Sequence, residues 1–275
     1  MKSVKISDTV SLSNHLPITI IAGPCQLESR DHAMMMAEKL MTICDEVGLK
    51  LIYKTSFDKA NRTSVSGKRG AGIEKAIPIF EEIKRTFGCP ILTDVHNEQQ
   101  PDLIKDYADV LQIPAFLCRQ TDLLEAAAKT GKPINIKKGQ FLAPGDMTNI
   151  VQKMEYFGNS QISLTDRGSS FGYNNLVVDM RSFAIMSETG YPVVIDATHS
   201  TQSPGGLGNS SGGNRNHAPI LARAAVACTK IAGVFMEVHE NPDSAPSDGP
   251  CMIELSKFKK ILVELKAIDD VVKGM

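Results

Sequence analysis

Short apolar runs rich in β-branched residues alternate with longer amphipathic stretches along the whole chain. The short runs predict eight strands, at Pro17–Ala22, Lys50–Lys54, Pro90–Asp94, Asp109–Ile113, Pro133–Lys137, Gln161–Asp166, Pro192–Thr198 and Gly233–Val238. The longer stretches predict helices between them, among them Arg30–Val47, Gly72–Phe87, Thr121–Thr130, Val178–Glu188, Ala218–Lys230 and Ser256–Val272. The strands recur about every 31 residues, which is the size of one βα unit.

Eight such units with no break in composition predict one α/β domain over residues 1–275, a (β/α)8 TIM barrel. A doubly wound open sheet is the alternative, but it normally stops at about five or six strands. The alternating segment Val4–Ser13 predicts a short N-terminal β-hairpin, within residues 1–16, that covers the barrel floor. Residues 200–217 are rich in Gly, Ser and Asn and are too long for an ordinary βα loop, which predicts a mobile lid.

Composition and charge narrow the function classes. The 275 residues carry 30 Lys and Arg against 31 Asp and Glu, so no strong field of one sign favours nucleic acid as a partner. No apolar run approaches the roughly 18 residues of a membrane-spanning helix. The six cysteines form no CxxC pair, which indicates reduced thiols and a cytoplasmic protein. The Gly-rich segment lacks the strand–GxGxxG–helix context, so we expect no nucleotide cofactor.

In a barrel of this class the active site lies at the C-terminal ends of the strands. Those ends are polar in this sequence, and they offer Cys25, Lys54, Ser56, Asp94, His96, Gln112, Lys137, Lys138, Asp166, Arg167, His199, Glu237 and His239. A barrel mouth without function would also be polar, because strand ends meet water. That interpretation does not explain why three strand ends carry cationic side chains and three others carry side chains that can bind a metal.

The loop after the second strand, KTSFDKANRTSVSGKRG, is a candidate anion site. Its five cations, set against one acid, Asp58, are Lys54, Lys59, Arg62, Lys68 and Arg69. An isolated basic loop is more often simply solvated, but Lys137 and Arg167 arrive at the same mouth from two other strands. Cations that converge without an anion would repel one another. We therefore expect a multiply anionic ligand, with two phosphates or a phosphate and a carboxylate.

A candidate metal site is formed by Cys25, His199 and Glu237, from strands one, seven and eight, which become neighbours when the barrel closes. Asp248 follows in the loop NPDSAPSDGP. A mixed sulfur, nitrogen and oxygen set suits divalent Zn, Fe, Mn or Co, and does not suit Mg or Ca. Each residue also has an ordinary structural interpretation, as a buried thiol, a satisfied polar group or a turn former. The residues alone leave the metal open.

Several segments together resemble the 3-deoxy-D-manno-octulosonate 8-phosphate synthase family. They are AGPCQLES, KTSFDKANRTS, TDVH, LQIPAFLCRQTDL, INIKKGQF, DRGSSFGYNNLVVDM, DATHS, SGG and EVHENPDSAPSDGP. The resemblance implies a TIM barrel, usually a homotetramer, that condenses phosphoenolpyruvate with D-arabinose 5-phosphate for lipopolysaccharide core synthesis. The implied ligands carry two phosphates and a carboxylate, as the converging cations suggest.

The resemblance also implies roles for single residues. The phosphoenolpyruvate binders would be Lys59, Lys137 and Arg167, with Ser56, Ala115 and Phe116. The arabinose phosphate site would contain Lys54, Asn61, Arg62, Thr63 and Ser64, and in the family the Arg reaches across from a neighbouring subunit. Gln112 is grouped with the substrate-binding residues. The candidate catalytic residues are Lys59, Lys137, His199 and Asp94, the last two as proton carriers.

GPCxxES resembles the metal-dependent class of the family, which implies Cys25, His199, Glu237 and Asp248 as ligands; metal-independent members carry Asn in place of the Cys. Two other functions stay open on the sequence. One is heptulosonate phosphate synthesis with erythrose 4-phosphate as the acceptor. The other is a non-catalytic sugar-phosphate sensor, which would bind ligand without turnover.

Overall fold

The computed structural model describes residues 1–62, 64, 65, 67–206, 208 and 211–275. Its strands, in chain order, are β1 Val4–Lys5, β2 Ser11–Leu12, β3 Thr19–Gly23, β4 Lys50–Lys54, β5 Ile91–Asp94, β6 Val110–Ile113, β7 Ile134–Lys137, β8 Ile162–Asp166, β9 Ser169–Ser170, β10 Leu176–Val177, β11 Val193–Asp196, β12 Gln202–Ser203, β13 Gly212–Gly213, β14 Gly233–His239 and β15 Ile253–Glu254.

Eight of these strands form a closed parallel barrel. Strands β3 to β8 pair in chain order, β8 pairs with β11, and β14 pairs with both β11 and β3. At the closure, Phe235 of β14 lies opposite Ile21 of β3 and Asp196 of β11. The predicted (β/α)8 TIM barrel is therefore confirmed, with each predicted strand position occupied by one barrel strand.

One helix follows each barrel strand. They are α1 Arg30–Val47, α2 Ile73–Phe87, α3 Gln100–Ile104, α4 Thr121–Lys129, α5 Met147–Tyr156, α6 Arg181–Ser187, α7 Ala218–Cys228 and α8 Leu255–Lys273. The sequence pattern predicts all of these except α3 and α5. No helix in the described part of the chain has the length and hydropathy that crossing a membrane requires.

Helix α1 shows how local sequence sets these elements. The side chain of Ser29 accepts a hydrogen bond from the backbone N–H of His32 and caps its start. Gly48, at φ +77°, ends it in the left-handed conformation. The buried side chains between these ends recur with helical spacing and form one face, and they are Ala33, Met36, Ala37, Leu40 and Cys44.

The N-terminal hairpin seals the end of the barrel opposite the strand C-termini. Strands β1 and β2 are antiparallel, with Val4 opposite Leu12. The buried hairpin side chains form one cluster with side chains of several barrel strands. The members of that cluster are Val4, Ile6, Val10, Leu12, Ile21, Ile52, Leu92, Val110, Val194, Ala232 and Phe235. The predicted hairpin on the barrel floor is therefore confirmed.

Candidate active site

A cavity of about 530 Å³ opens at the C-terminal ends of the barrel strands. Most of the residues that the sequence analysis selected line it: Lys54, Lys59, Asn61, Arg62, Ser64, Asp94, His96, Gln112, Ala115, Phe116, Lys137, Arg167, His199 and Asp248. Three others, Cys25, Ser56 and Glu237, are fully buried and contact the lining residues. Thr63 lies outside the described residues.

Three cations reach this cavity from different strand ends. Lys59, Lys137 and Arg167 follow β4, end β7 and follow β8, respectively. Nζ of Lys137 lies 3.7 Å from the centroid of the Phe235 ring, which forms an apolar platform beneath it. Burial lowers the pKa of Lys137. Burial also acts to lower the pKa of Lys59. The negative charges of Asp94 and Glu237 help to overcome this effect, and the pKa of Lys59 is raised well above its usual value.

Asp94, at the end of β5, is the acid on this side of the cavity. It accepts hydrogen bonds from Oγ of Ser56 and Nε2 of Gln112, and Nζ of Lys59 lies 3.6 Å away. Burial opposes ionisation of Asp94, but Lys54 and Lys59 outweigh it and hold the pKa of this carboxyl well below its usual range. Asp94 is therefore an anion in the protein without ligand, able to accept a proton only when the nearby charges change.

Four side chains that can bind transition metals lie together at the cavity, and two of them, His199 and Asp248, belong to its lining. The ligand atoms of Cys25, Glu237 and Asp248 all lie within 4.8 Å of one another. Nε2 of His199 is 3.4 Å from Oε1 of Glu237. Oε2 of Glu237 is buried and has no hydrogen-bond partner among the described residues. A buried acceptor beside a thiol, an imidazole and a second carboxylate fits a divalent ion of the Zn, Fe, Mn or Co class.

The protonation states of this group follow from burial and nearby charge. Burial, helped by the charge of Glu237, raises the pKa of the Cys25 thiol well above its usual value. The thiol therefore has to lose its proton before it can bind a cation. Burial opposes ionisation of Glu237, but His199 and Lys54 outweigh it and lower the pKa of that carboxyl. Nζ of Lys54 lies 3.0 Å from Oε1 of Glu237.

A close approach of two strands supports this arrangement. A Cβ atom on Gly23 would lie 2.0 Å from the carbonyl oxygen of Lys54. Only glycine therefore fits at the end of β3, two residues before Cys25. The carbonyl oxygen of Cys25 in turn accepts a hydrogen bond of 3.1 Å from Nζ of Lys54.

Two arginines of the basic loop after β4 have partners within this chain. Arg69 pairs with Asp58 at 2.5 Å, is largely exposed and is absent from the cavity lining, so the five-cation anion site is wrong for this residue. Arg62 contacts its own chain, with its guanidinium 2.8 Å from Oγ of Ser247 and 2.9 Å from Oε1 of Gln26. The charge of Arg62 therefore lies beside the loop that carries Asp248.

Two residues of the site, Asp196 and Gln202, were not predicted from the sequence. Asp196 accepts hydrogen bonds from Lys137 and from Nδ1 of His199. Gln202 lies between Arg167, which donates to it, and Asp248, to which it donates at 2.6 Å. An acid inside the predicted strand Pro192–Thr198 was the available signal for Asp196. Gln202 has no comparable signal, because it belongs to a polar loop.

The comparisons with known proteins agree with this geometry. The DAHP synthetase I family model matches residues 2–273. A relative called 2-dehydro-3-deoxyphosphooctonate aldolase, from Rickettsia prowazekii (strain Madrid E), is 58% identical over 99% of both chains. A relative of the same name from Rickettsia bellii (strain OSU 85-389) is 57% identical over 99% of this chain and 98% of its own. The chain therefore belongs to the DAHP synthetase I family and resembles its 2-dehydro-3-deoxyphosphooctonate aldolase members.

Proposed function

We propose that the protein is an aldolase-type transferase that condenses phosphoenolpyruvate, D-arabinose 5-phosphate and water to 3-deoxy-D-manno-octulosonate 8-phosphate and inorganic phosphate. The observation that carries this proposal is the convergence of Lys59, Lys137 and Arg167 in one cavity. Three cations from three strands match a ligand that bears both a phosphate and a carboxylate. The full-length relatives at 57–58% identity support the same reaction. They do not support the heptulosonate or sensor alternatives.

In the reaction, C3 of phosphoenolpyruvate attacks the aldehyde carbon, and water adds at C2. The resulting phosphorylated hemiketal loses phosphate by cleavage of its C–O bond. Lys59, Lys137 and Arg167, with Ser56, Ala115 and Phe116, orient the enolpyruvate and stabilise negative charge in the transition state. Asp94 and His199 are the candidate proton carriers because both line the cavity.

The second substrate is assigned to the basic loop after β4. Lys54, Asn61, Arg62, Thr63 and Ser64 would bind the arabinose phosphate, with Gln112 beside them at the end of β6. Four of the first five residues, Lys54, Asn61, Arg62 and Ser64, line the cavity, and the fifth, Thr63, is outside the described residues. The hydroxyl groups and cations of this loop can donate hydrogen bonds to the oxygens of a phosphate and a sugar.

The metal proposal rests on the donor set already described. Cys25, His199, Glu237 and Asp248 would hold one divalent ion of the Zn, Fe, Mn or Co class. When bound, such an ion supplies Lewis acidity and an anchor for the aldehyde and the water. The residues of the chain bind and orient both substrates and carry the protons.

We propose three further features: the oligomeric state, the location and the lid. The family resemblance supports a homotetramer, and the six free cysteines support a cytoplasmic location. Residues 200–217 are proposed as the lid. They contain the ribbon β12–β13, and Gln202 and Pro204 line the cavity. Light scattering in solution tests the tetramer, and limited proteolysis with and without phosphoenolpyruvate tests the lid.

The deciding experiment measures phosphate release from phosphoenolpyruvate with arabinose 5-phosphate and, separately, with erythrose 4-phosphate. We expect turnover with the five-carbon aldehyde and a kcat/KM at least about 100-fold lower with erythrose 4-phosphate, since specificity of this order comes from several lost polar contacts. A preference for erythrose 4-phosphate would instead establish the heptulosonate reaction. Binding of both ligands without turnover would establish the sensor.

A further inference from the structure

Asp196 is a fully buried carboxylate that contacts two functional side chains at once. Its Oδ2 accepts from Nδ1 of His199 at 2.7 Å, and the same oxygen accepts from Nζ of Lys137. Its Oδ1 accepts the backbone N–H of His199 at 2.9 Å. One side chain at the end of β11 therefore touches a proposed metal ligand and a proposed phosphoenolpyruvate binder.

The contacts of Asp196 extend to a second metal-binding position. Oγ1 of Thr198 donates to Oδ1 of Asp196 at 3.2 Å and accepts the backbone N–H of Glu237 at 3.1 Å. This chain of two hydrogen bonds joins the end of β11 to β14. The relative position of His199 and Glu237 therefore depends on Asp196.

The hydrogen bond to Asp196 selects one tautomer of His199. A neutral imidazole carries one proton, and a carboxylate acceptor at Nδ1 keeps the proton there. Nε2 is then left with its lone pair, and this atom faces Oε1 of Glu237 at 3.4 Å. An imidazole that binds a metal through Nε2 needs this tautomer.

We propose that Asp196 is a positioning residue that joins the two halves of the site, by presenting Nε2 of His199 for metal binding and by fixing the ammonium of Lys137 above Phe235. The proposal rests on the proposed function in one respect, which is that the anion bound by Lys137 is phosphoenolpyruvate. The part of the proposal that concerns metal binding by His199 does not depend on any substrate. Asp196 acts through its neighbours, since it is buried and absent from the cavity lining.

The test is Asp196→Asn, which keeps the shape of the side chain and removes its charge. An amide can donate to Nδ1 of His199, which moves the imidazole proton to Nε2. We expect Co²⁺ affinity, measured by equilibrium dialysis, to fall about 10- to 100-fold, and the thiolate-to-cobalt absorption band to weaken in parallel. Phosphoenolpyruvate affinity, measured by calorimetry on the metal-free protein, should fall as well, because Lys137 loses its ion pair.

The matched control is Asp269→Asn. Asp269 is also a buried carboxylate in an ion pair, 2.7 Å from Nζ of Lys273, but it accepts the backbone N–H of Ile18 and does not line the cavity. This variant should lose thermal stability while both affinities stay at the wild-type value. Equal losses of affinity in Asp269→Asn and Asp196→Asn would show that Asp196 is only structural and would overturn the proposal.

Thr198→Val is a second variant that keeps the Asp196 carboxylate and its contacts with Lys137 and His199. It removes only the link to Glu237, so Co²⁺ affinity should fall less than in Asp196→Asn, with phosphoenolpyruvate affinity unchanged. Wild-type Co²⁺ affinity in both Asp196→Asn and Thr198→Val would refute the positioning role. The cobalt measurements involve no substrate. They therefore test the positioning role of Asp196 even if the proposed reaction is wrong.

Discussion

At the scale of single residues, Cys25 has the most specific chemistry. Cys25→Ala should abolish stoichiometric metal binding and reduce turnover, because the thiolate supplies the soft ligand of the proposed set. Metal content after dialysis against Zn²⁺ and activity after chelation and readdition measure this. The control is Cys118→Ala, which removes another fully buried thiol and should keep the metal. Full metal content in Cys25→Ala would exclude Cys25 as a ligand.

His96 gives a prediction about pH. Burial lowers the pKa of His96 in the folded protein below the value of about 6.5 expected for the unfolded chain. The unfolded state therefore takes up more protons as the pH falls below 6.5, and the free energy of unfolding decreases, by about 1.4 kcal/mol for each unit of pKa difference.

His96→Gln should remove this contribution, so the loss of stability between pH 7.5 and 5.5 should be smaller in the variant than in the wild type. Urea unfolding at the two pH values measures the difference. His15→Gln, at an exposed position, is the control and should follow the wild type. An identical pH dependence in His96→Gln would contradict the prediction.

At the scale of elements, the sequence located the barrel strands well and their ends less well. Strand β3 begins at Thr19, not at Pro17, because proline has no N–H to donate to a neighbouring strand. Helix α6 begins at Arg181, not at Val178, because the side chain of Asp179 accepts the Arg181 N–H at 3.0 Å. Such ends depend on single hydrogen bonds, which periodicity does not report.

Helix α3 was missed because its five residues are too few to show a helical period. The ribbons β9–β10 and β12–β13 were missed for a related reason. Each strand in them has only two residues, and its pairing depends on how the loop folds back over the barrel. Very short elements are set by their surroundings rather than by their own pattern.

The N-terminal hairpin gives a prediction at this scale. Leu12→Ala should lower the free energy of unfolding by about 2 to 4 kcal/mol, since it opens a cavity in the floor cluster. Activity per folded molecule should not change, because the hairpin lies at the end opposite the cavity. Leu103→Ala, at a position 55% exposed, should change stability by less than about 0.5 kcal/mol. Urea unfolding of both variants provides the comparison.

At the scale of the whole molecule, the net charge of −1 conceals an uneven distribution. Cations are gathered at one end of the barrel, where they pair with buried acids and line the cavity. Ligands that bind only the folded state stabilise it, by about 2.7 kcal/mol at a concentration 100 times Kd. Phosphoenolpyruvate should therefore raise the melting temperature of the wild type.

Strand β4 offers a matched pair for this prediction, with Lys54 at the cavity end and Lys50 exposed at the other. Lys54→Met should reduce the thermal shift produced by arabinose 5-phosphate and should itself be destabilising, because Glu237 loses a buried ion pair. Lys50→Met should retain the full shift and near-wild-type stability. Equal shifts in the two variants would place the sugar phosphate elsewhere.

The sequence by itself determined the repeated βα unit, the number of barrel strands and the residue types at their C-terminal ends. These depend on local periodicity and on the rule that side chains at those ends share one mouth. Only the tertiary structure decided that Arg69 lies outside the cavity, that Arg62 rests on Ser247 and that Asp196 joins His199 to Lys137. Closure of the barrel brings strands that are far apart in sequence to within one hydrogen bond. Which side chains then meet depends on register and rotamer, which no local pattern encodes.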